Sequence, residues 1–162
     1  MILDREAIQS KIKRIAFQIL ENNFKEEHLY IIGIKGGGSI LAQKISEELR
    51  EISDLNPHFI KLDIDKKSSA TSAVSLSEEI NNSSEAVVLL VDDVLNSGKT
   101  VFYAQRAILD LDLKKIETAF LVNRAHRSFP IAANYTGIEI ATTIQEHITF
   151  NWSDDGFGVY LE

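Results

Sequence analysis

Residues 88–100 read VLLVDDVLNSGKT. An apolar strand delivers two adjacent acids, Asp92 and Asp93, and a short loop, Asn96-Ser97-Gly98-Lys99-Thr100, then opens a helix. Gly98 lets the backbone come close to an anion. The first amides of a helix are unpaired donors at its positive end. Ser97 and Thr100 add hydroxyl donors, and Lys99 adds charge. The acids serve the opposite need, because carboxylates accept hydrogen bonds from a vicinal diol and hold a divalent cation. Diol acceptors one loop away from a phosphate cradle describe a ribose 5-phosphate site. Gly98-Lys99-Thr100 also mimics the end of a nucleotide-binding P-loop, but that motif needs glycine five positions before Gly98. Asp93 stands there, and an acid repels the phosphates such a loop must wrap. The plain alternative is a strand end followed by an ordinary turn and helix cap.

Outward from this segment, strand and helix patterns alternate. Ile8, Ile12, Ile15, Ala16 and Ile19 recur at helical spacing over 4–23, with Asp4 as N-cap. Residues 29–34 form an apolar strand, 35–38 a loop, and 39–52 a helix burying Leu41, Ile45, Leu49 and Ile52. A strand over 59–64 precedes residues 65–79, six of which are Ser or Thr, with no period. A loop of that length is usually functional or disordered. Residues 86–91 read as a strand covered on both faces, 100–113 as a helix and 116–122 as a buried strand. Shorter strand-like runs follow at 137–141, 148–151 and 157–161. Such alternation implies crossover units and a largely parallel α/β sheet. In such sheets ligands bind past the carboxyl ends of the strands. The segments 35–38, 65–79 and 92–100 all leave strand ends.

The chain has 162 residues, the size of one domain. It contains no cysteine, which excludes disulfides and thiolate metal sites. Its 17 basic and 24 acidic residues give a net charge of −7, which disfavours RNA or DNA binding through net charge. No apolar run reaches membrane-spanning length and no signal peptide is legible, so a cytoplasmic protein is expected, with no membrane partner. His28, His58 and His147 show no metal-ligand spacing. Trp152 and Phe157 flank a tail turn and read as packing residues.

The signature at 88–100 resembles the phosphoribosyl-pyrophosphate (PRPP) motif of type I phosphoribosyltransferases. The wider chain resembles the pyrimidine-operon attenuator / uracil phosphoribosyltransferase family. IIGIKGGGSILAQKISEEL at 31–49 is similar to that family's first strand, pyrophosphate loop and helix. LDI at 62–64 resembles the strand before its flexible loop, FLVNRAHRSFPIAANYTGIEIATT at 120–143 its base-binding segment, and GVYLE at 158–162 its last strand. The resemblance implies a single phosphoribosyltransferase domain over 1–162, with a core about 25–125. It also implies a mostly parallel twisted sheet flanked by helices, with a small C-terminal β hood that includes the N-terminal helix. It implies transfer of ribose 5-phosphate from PRPP to a nucleobase, with uracil expected, and release of pyrophosphate in the presence of Mg2+. Asp92 and Asp93 then take the ribose hydroxyls and, largely through PRPP and water, the metal. Asn96, Ser97, Gly98, Lys99 and Thr100 take the 5-phosphate, and Lys35, Gly36, Gly37 and Gly38 the pyrophosphate. Val122, Asn123, Arg124, His126 and Arg127 flank the base. The ligands implied are PRPP with a nucleobase or nucleoside monophosphate, and a homo-oligomer, dimer or larger, is expected.

Three positions depart from the family pattern. Gly37 stands where the pyrophosphate loop carries an arginine, so a bidentate cation is missing, and installing arginine there is expected to speed turnover. Asp65-Lys66-Lys67-Ser68-Ser69 replaces an aromatic, an arginine and paired acids, leaving Lys66 or Lys67 to close over pyrophosphate. Asn123 replaces an aspartate, whereas Arg124, His126 and Arg127 are retained. Asn96 is no general base, which argues against a purine acceptor. Two other functions stay open. One is a PRPP- or nucleotide-sensing regulator of the RNA-attenuation type with weak or no catalysis. The other is a transferase for another base.

Overall fold

The central strand is the one that carries the acids. Its residues Val87 to Val91 are all buried, because helices cover both faces of the sheet. The computed structural model describes residues 1–143 and 145–162. In chain order the elements are α1 (Arg5–Asn23), β1 (Leu29–Ile34), α2 (Gly37–Ile52), β2 (His58–Asp63), β3 (Ser75–Leu76), β4 (Val87–Leu95), α3 (Lys99–Ala104), β5 (Lys115–Arg124), β6 (Tyr135–Ile140), β7 (Ile148–Asn151) and β8 (Gly158–Leu161). Six strands form one sheet in the order β3-β2-β1-β4-β5-β6. All its pairings are parallel except that of the two-residue edge strand β3. β7 and β8 form a separate antiparallel pair. A mostly parallel α/β sheet with a small C-terminal hairpin is the architecture the sequence leads one to expect.

Alternate strand residues feed two cores. Ile31, Leu89, Val91 and Leu121 pack under α1 and α2, on Ile12, Ile15, Ile19, Leu41 and Ile45. Ile32, Ile34, Leu90 and Phe120 face the other way, onto Val101, Ala104 and Ile108. The period of two that sends side chains to opposite faces is thus apolar on both. The hairpin joins the first core through Val159, whose carbonyl accepts the Ile2 amide at 2.6 Å and whose amide donates to Leu3 at 2.9 Å. Asp4 caps α1 by accepting the Ala7 amide at 2.8 Å. Among the described residues no helix is long and apolar enough to cross a membrane.

Two expectations are corrected. The acidic strand does not stop at Val91 but runs to Leu95, because β5 is long enough to pair it through Asp92, Val94 and Leu95. β1 stops earlier, with Gly33 opposite Val91. Asp92 and Asp93 are therefore held by backbone pairing on one flank and open on the other. The helix expected over 100–113 ends at Ala104 and continues only as a 3-10 turn, Gln105–Ala107. Thr100, Val101, Phe102 and Tyr103 are β-branched or aromatic and propagate a helix weakly, and Asp110 and Asp112 favour turns.

Candidate active site

Between β1 and β4 the connections leave the sheet in opposite directions, and a cleft opens there at the carboxyl ends. It measures about 330 Å³ and is lined by Gly37, Lys66, residues 92–101, Ile148, Phe150 and Trp152. The two acids, the 96–100 loop, one glycine of the 35–38 turn and Lys66 thus face one space, although they come from three distant parts of the sequence.

Asp92 is only 3% exposed. Its Oδ1 accepts from Lys66 Nζ at 2.9 Å and from the Asp93 amide at 3.0 Å. Burial pushes its carboxyl up to about 7; the Asp93 carboxylate adds to the rise and the Lys66 ammonium opposes it. Burial disfavours the Lys66 charge, but Asp92 and Asp93 together outweigh it and hold the ammonium above its ordinary pKa. Asp93 lies 4.0 Å from the same ammonium and accepts the Val94 amide at 2.8 Å. Asp65-Lys66-Lys67 is therefore not merely a solvated charged turn, since Lys66 reaches the acids directly. Among the described residues, no group of three or more acids and histidines gathers as a metal cage. Two adjacent carboxylates are hard oxygen donors that suit Mg2+ as part of a shell completed by ligand oxygens and water.

The 35–38 turn packs its middle glycine against the acids. A Cβ on Gly37 would lie 1.9 Å from Asp93 Oδ2 and 2.6 Å from its Cγ. A side chain at 37 would therefore need the Asp93 carboxylate to turn aside. Gly38 is buried, Gly36 has φ +95°, and Lys35 reaches Asp63 at 3.4 Å along a neighbouring groove. Of these four residues only Gly37 lines the cleft.

Gly98 begins α3 with φ +86°, a conformation glycine adopts readily. Its Cβ position is 3.3 Å from Ile131 rather than over the loop. Glycine is thus also favoured here by the backbone conformation and by the closeness of Ile131, while its backbone lines the cleft. The Ser97 carbonyl accepts the Ser128 and Phe129 amides, both at 3.0 Å.

The residues expected to flank the base come from the end of β5 and the turn after it. Val122 is fully buried in β5. Arg124, only 8% exposed, donates Nη1 to Asn96 Oδ1 at 2.9 Å, Nε to Thr142 Oγ1 at 2.7 Å and Nη2 to the Thr143 carbonyl at 3.1 Å. Arg127 donates to the Asn96 carbonyl at 2.8 Å and to Asn123 Oδ1. The His126 ring donates to the Thr142 carbonyl. None of the five lines the cleft; Arg124 and Arg127 brace the 96–100 loop from behind. The wall opposite the acids is instead Ile148, Phe150 and Trp152, with the last two rings stacked at 5.6 Å and 13°. Ile148 and Phe150, two apart on β7, share one face, and Trp152 follows just past the end of the strand.

The family described as "Phosphoribosyl transferase domain" matches residues 1–155. The Bifunctional protein PyrR of Macrococcus caseolyticus is 35% identical over 173 aligned residues, spanning 100% of this chain and 98% of its own. The protein of the same name from Fusobacterium nucleatum is 33% identical over 156 residues, spanning 91% of this chain and 88% of its own. Among solved structures, a hypoxanthine-guanine phosphoribosyltransferase of Bacillus anthracis superposes with a TM-score of 0.73 at 18% identity, covering 100% of this chain and 96% of that one. That last likeness is one of fold.

Proposed function

The chain belongs to the phosphoribosyl transferase domain family, and on that premise we propose that it moves ribose 5-phosphate from PRPP to uracil and releases pyrophosphate. The observation that carries the reading is the convergence of Asp92, Asp93, Lys66 and the 96–100 loop on one cleft.

The reaction breaks the bond from the anomeric carbon to pyrophosphate oxygen, which keeps the electron pair, and forms one to a base nitrogen, whose proton passes to water, through an oxocarbenium-like transition state. Catalysis of this kind is positioning and electrostatics. Asp92 and Asp93 accept from the ribose hydroxyls and place negative charge beside the electron-poor sugar. The amides of 97–100, with the Ser97 and Thr100 hydroxyls, hold the 5-phosphate. Lys66 draws charge onto the departing pyrophosphate, and the Gly37 backbone lies beside it. Phe150 and Trp152 offer a flat apolar wall for the base. Asp92 and Asp93 would hold Mg2+, largely through PRPP and water, and the ion would supply Lewis-acid polarisation there. The uracil preference rests on the likeness to the PyrR proteins and on Asn96, which is no base for a purine proton and is already engaged by Arg124.

A second reading, a nucleotide-responsive regulator with weak catalysis, is supported by Gly37, which leaves the 35–38 turn without a guanidinium. The word "Bifunctional" in the relatives' name fits it as well. Calorimetry with magnesium-PRPP tests what both readings share. The Asp92→Asn, Asp93→Asn double variant should lose binding, each charge-assisted hydrogen bond being worth about 1.5–3 kcal/mol. Unchanged affinity in a folded variant refutes the ribose assignment.

A further inference from the structure

Residues 65–72 form a turn capped at both ends. At its start the Asp65 carboxylate accepts the Lys67 amide and the Ser68 hydroxyl, both at 2.9 Å. The Thr71 and Ser72 amides donate back to the Ser68 carbonyl at 3.0 and 2.9 Å. At its end stands Arg106, on the 3-10 turn that follows α3. Its Nη2 donates to the carbonyls of Ser69 at 2.6 Å and Ser72 at 2.9 Å, and its Nη1 to that of Ala70 at 3.1 Å. Its Nε donates to the Tyr103 carbonyl at 3.1 Å, and the guanidinium carbon lies 5.6 Å from the Tyr103 ring centroid.

The last carbonyls of a helical turn have no partner within it, and a rigid fork of five donors suits several of them at once. Among the described residues, Arg106 is the one side chain from outside the segment that bonds to residues 68–72. The Ser69 and Ser72 hydroxyls are buried without partners, so they add nothing to hold the turn. The turn in turn carries Lys66, whose ammonium sits 2.9 Å from Asp92. α3 begins at the 96–100 loop and ends immediately before Gln105 and Arg106. One short element therefore sets both the loop and the clasp.

We propose that Arg106 is a positioning residue for the transfer reaction. By clasping the 69–72 carbonyls it fixes the turn that aims Lys66 into the cleft, and it ties that turn to the 96–100 loop. Arg106 does not line the cleft and acts through Lys66. The proposal rests on the assignment of Lys66 to the departing pyrophosphate.

Arg106→Gln should lower kcat for pyrophosphate release with uracil about ten- to a hundredfold, leave ribose 5-phosphate binding unchanged, and be partly rescued by Arg106→Lys. In a Lys66→Ala background the same substitution should add nothing, because the two act in series. Equal losses in both backgrounds, or no loss in the first, overturn the proposal. Hydrogen exchange reads the clasp without turnover: the Thr71 and Ser72 amides should exchange faster in Arg106→Gln while β4 keeps its protection. If the wild-type chain turns over no base, the transferase reading fails and exchange alone decides the clasp. Unchanged exchange overturns it. Should the Gln variant unfold, Arg106→Lys gives the same readouts with a smaller effect.

Discussion

Asp92 carries a carboxyl that is almost wholly buried, and its energetics follow from that burial. Its folded pKa, about 7, lies above the ordinary 3.8. The folded chain therefore binds more protons than the unfolded chain between about pH 4 and pH 7, and the stability this group supports falls as pH rises through that window. Asp92→Asn should raise the midpoint of thermal unfolding at pH 8, and the gain should fade to nothing near pH 4. A variant less stable than wild type at pH 8 would mean that the Lys66 pair outweighs burial. At Gly37 a Cβ would stand 1.9 Å from Asp93 Oδ2, so a side chain there requires that carboxylate to turn aside. Gly37→Arg supplies the absent cation and should raise the rate of pyrophosphate release with uracil; a slower release would mean that the displaced Asp93 carboxylate outweighs the added charge.

At the scale of elements, the 96–100 loop is shaped by what stands behind it. Gly98 has φ +86°, so Gly98→Ala should cost about 1–2 kcal/mol of stability in denaturant unfolding. It should also weaken ribose 5-phosphate binding by disturbing the entry to α3. Arg124 holds Asn96 on one side and Thr142 and Thr143 on the other. Arg124→Met leaves three acceptors short of a charged donor and should lower both thermal stability and ribose 5-phosphate affinity, whereas a base-contacting arginine would affect uracil binding alone. The motif at 88–100 told the sequence reader which chemistry sits here, because acids, glycine and hydroxyls are local in sequence. The hold of Arg124 on Asn96 is not legible in the sequence, because where a guanidinium reaches depends on partners 18 or more positions away. Trp152 packs against the core as its sequence context leads one to expect, but its place with Phe150 in the cleft wall is not legible: β7 is four residues long, too short for alternation to stand out from a polar tail.

For the molecule as a whole, the strands were the most legible part. Buried parallel strands read as continuous apolar runs, and residues 29–34 were placed to the residue. The length of α3 was not legible, since the apolar spacing of Val101, Ala104 and Ile108 survives in a 3-10 turn. Residues 65–79 show no period because their order comes from Arg106, from the acids and from the pairing of β3 with β2. The central claim is that this assembly of loop, acids and Lys66 transfers ribose 5-phosphate to a pyrimidine. Its most direct test is pyrophosphate release from magnesium-PRPP with uracil, cytosine, hypoxanthine and guanine offered one at a time. Release is expected with uracil, accompanied by uridine monophosphate, and little with the purines. Turnover of hypoxanthine or guanine with none of uracil would contradict it.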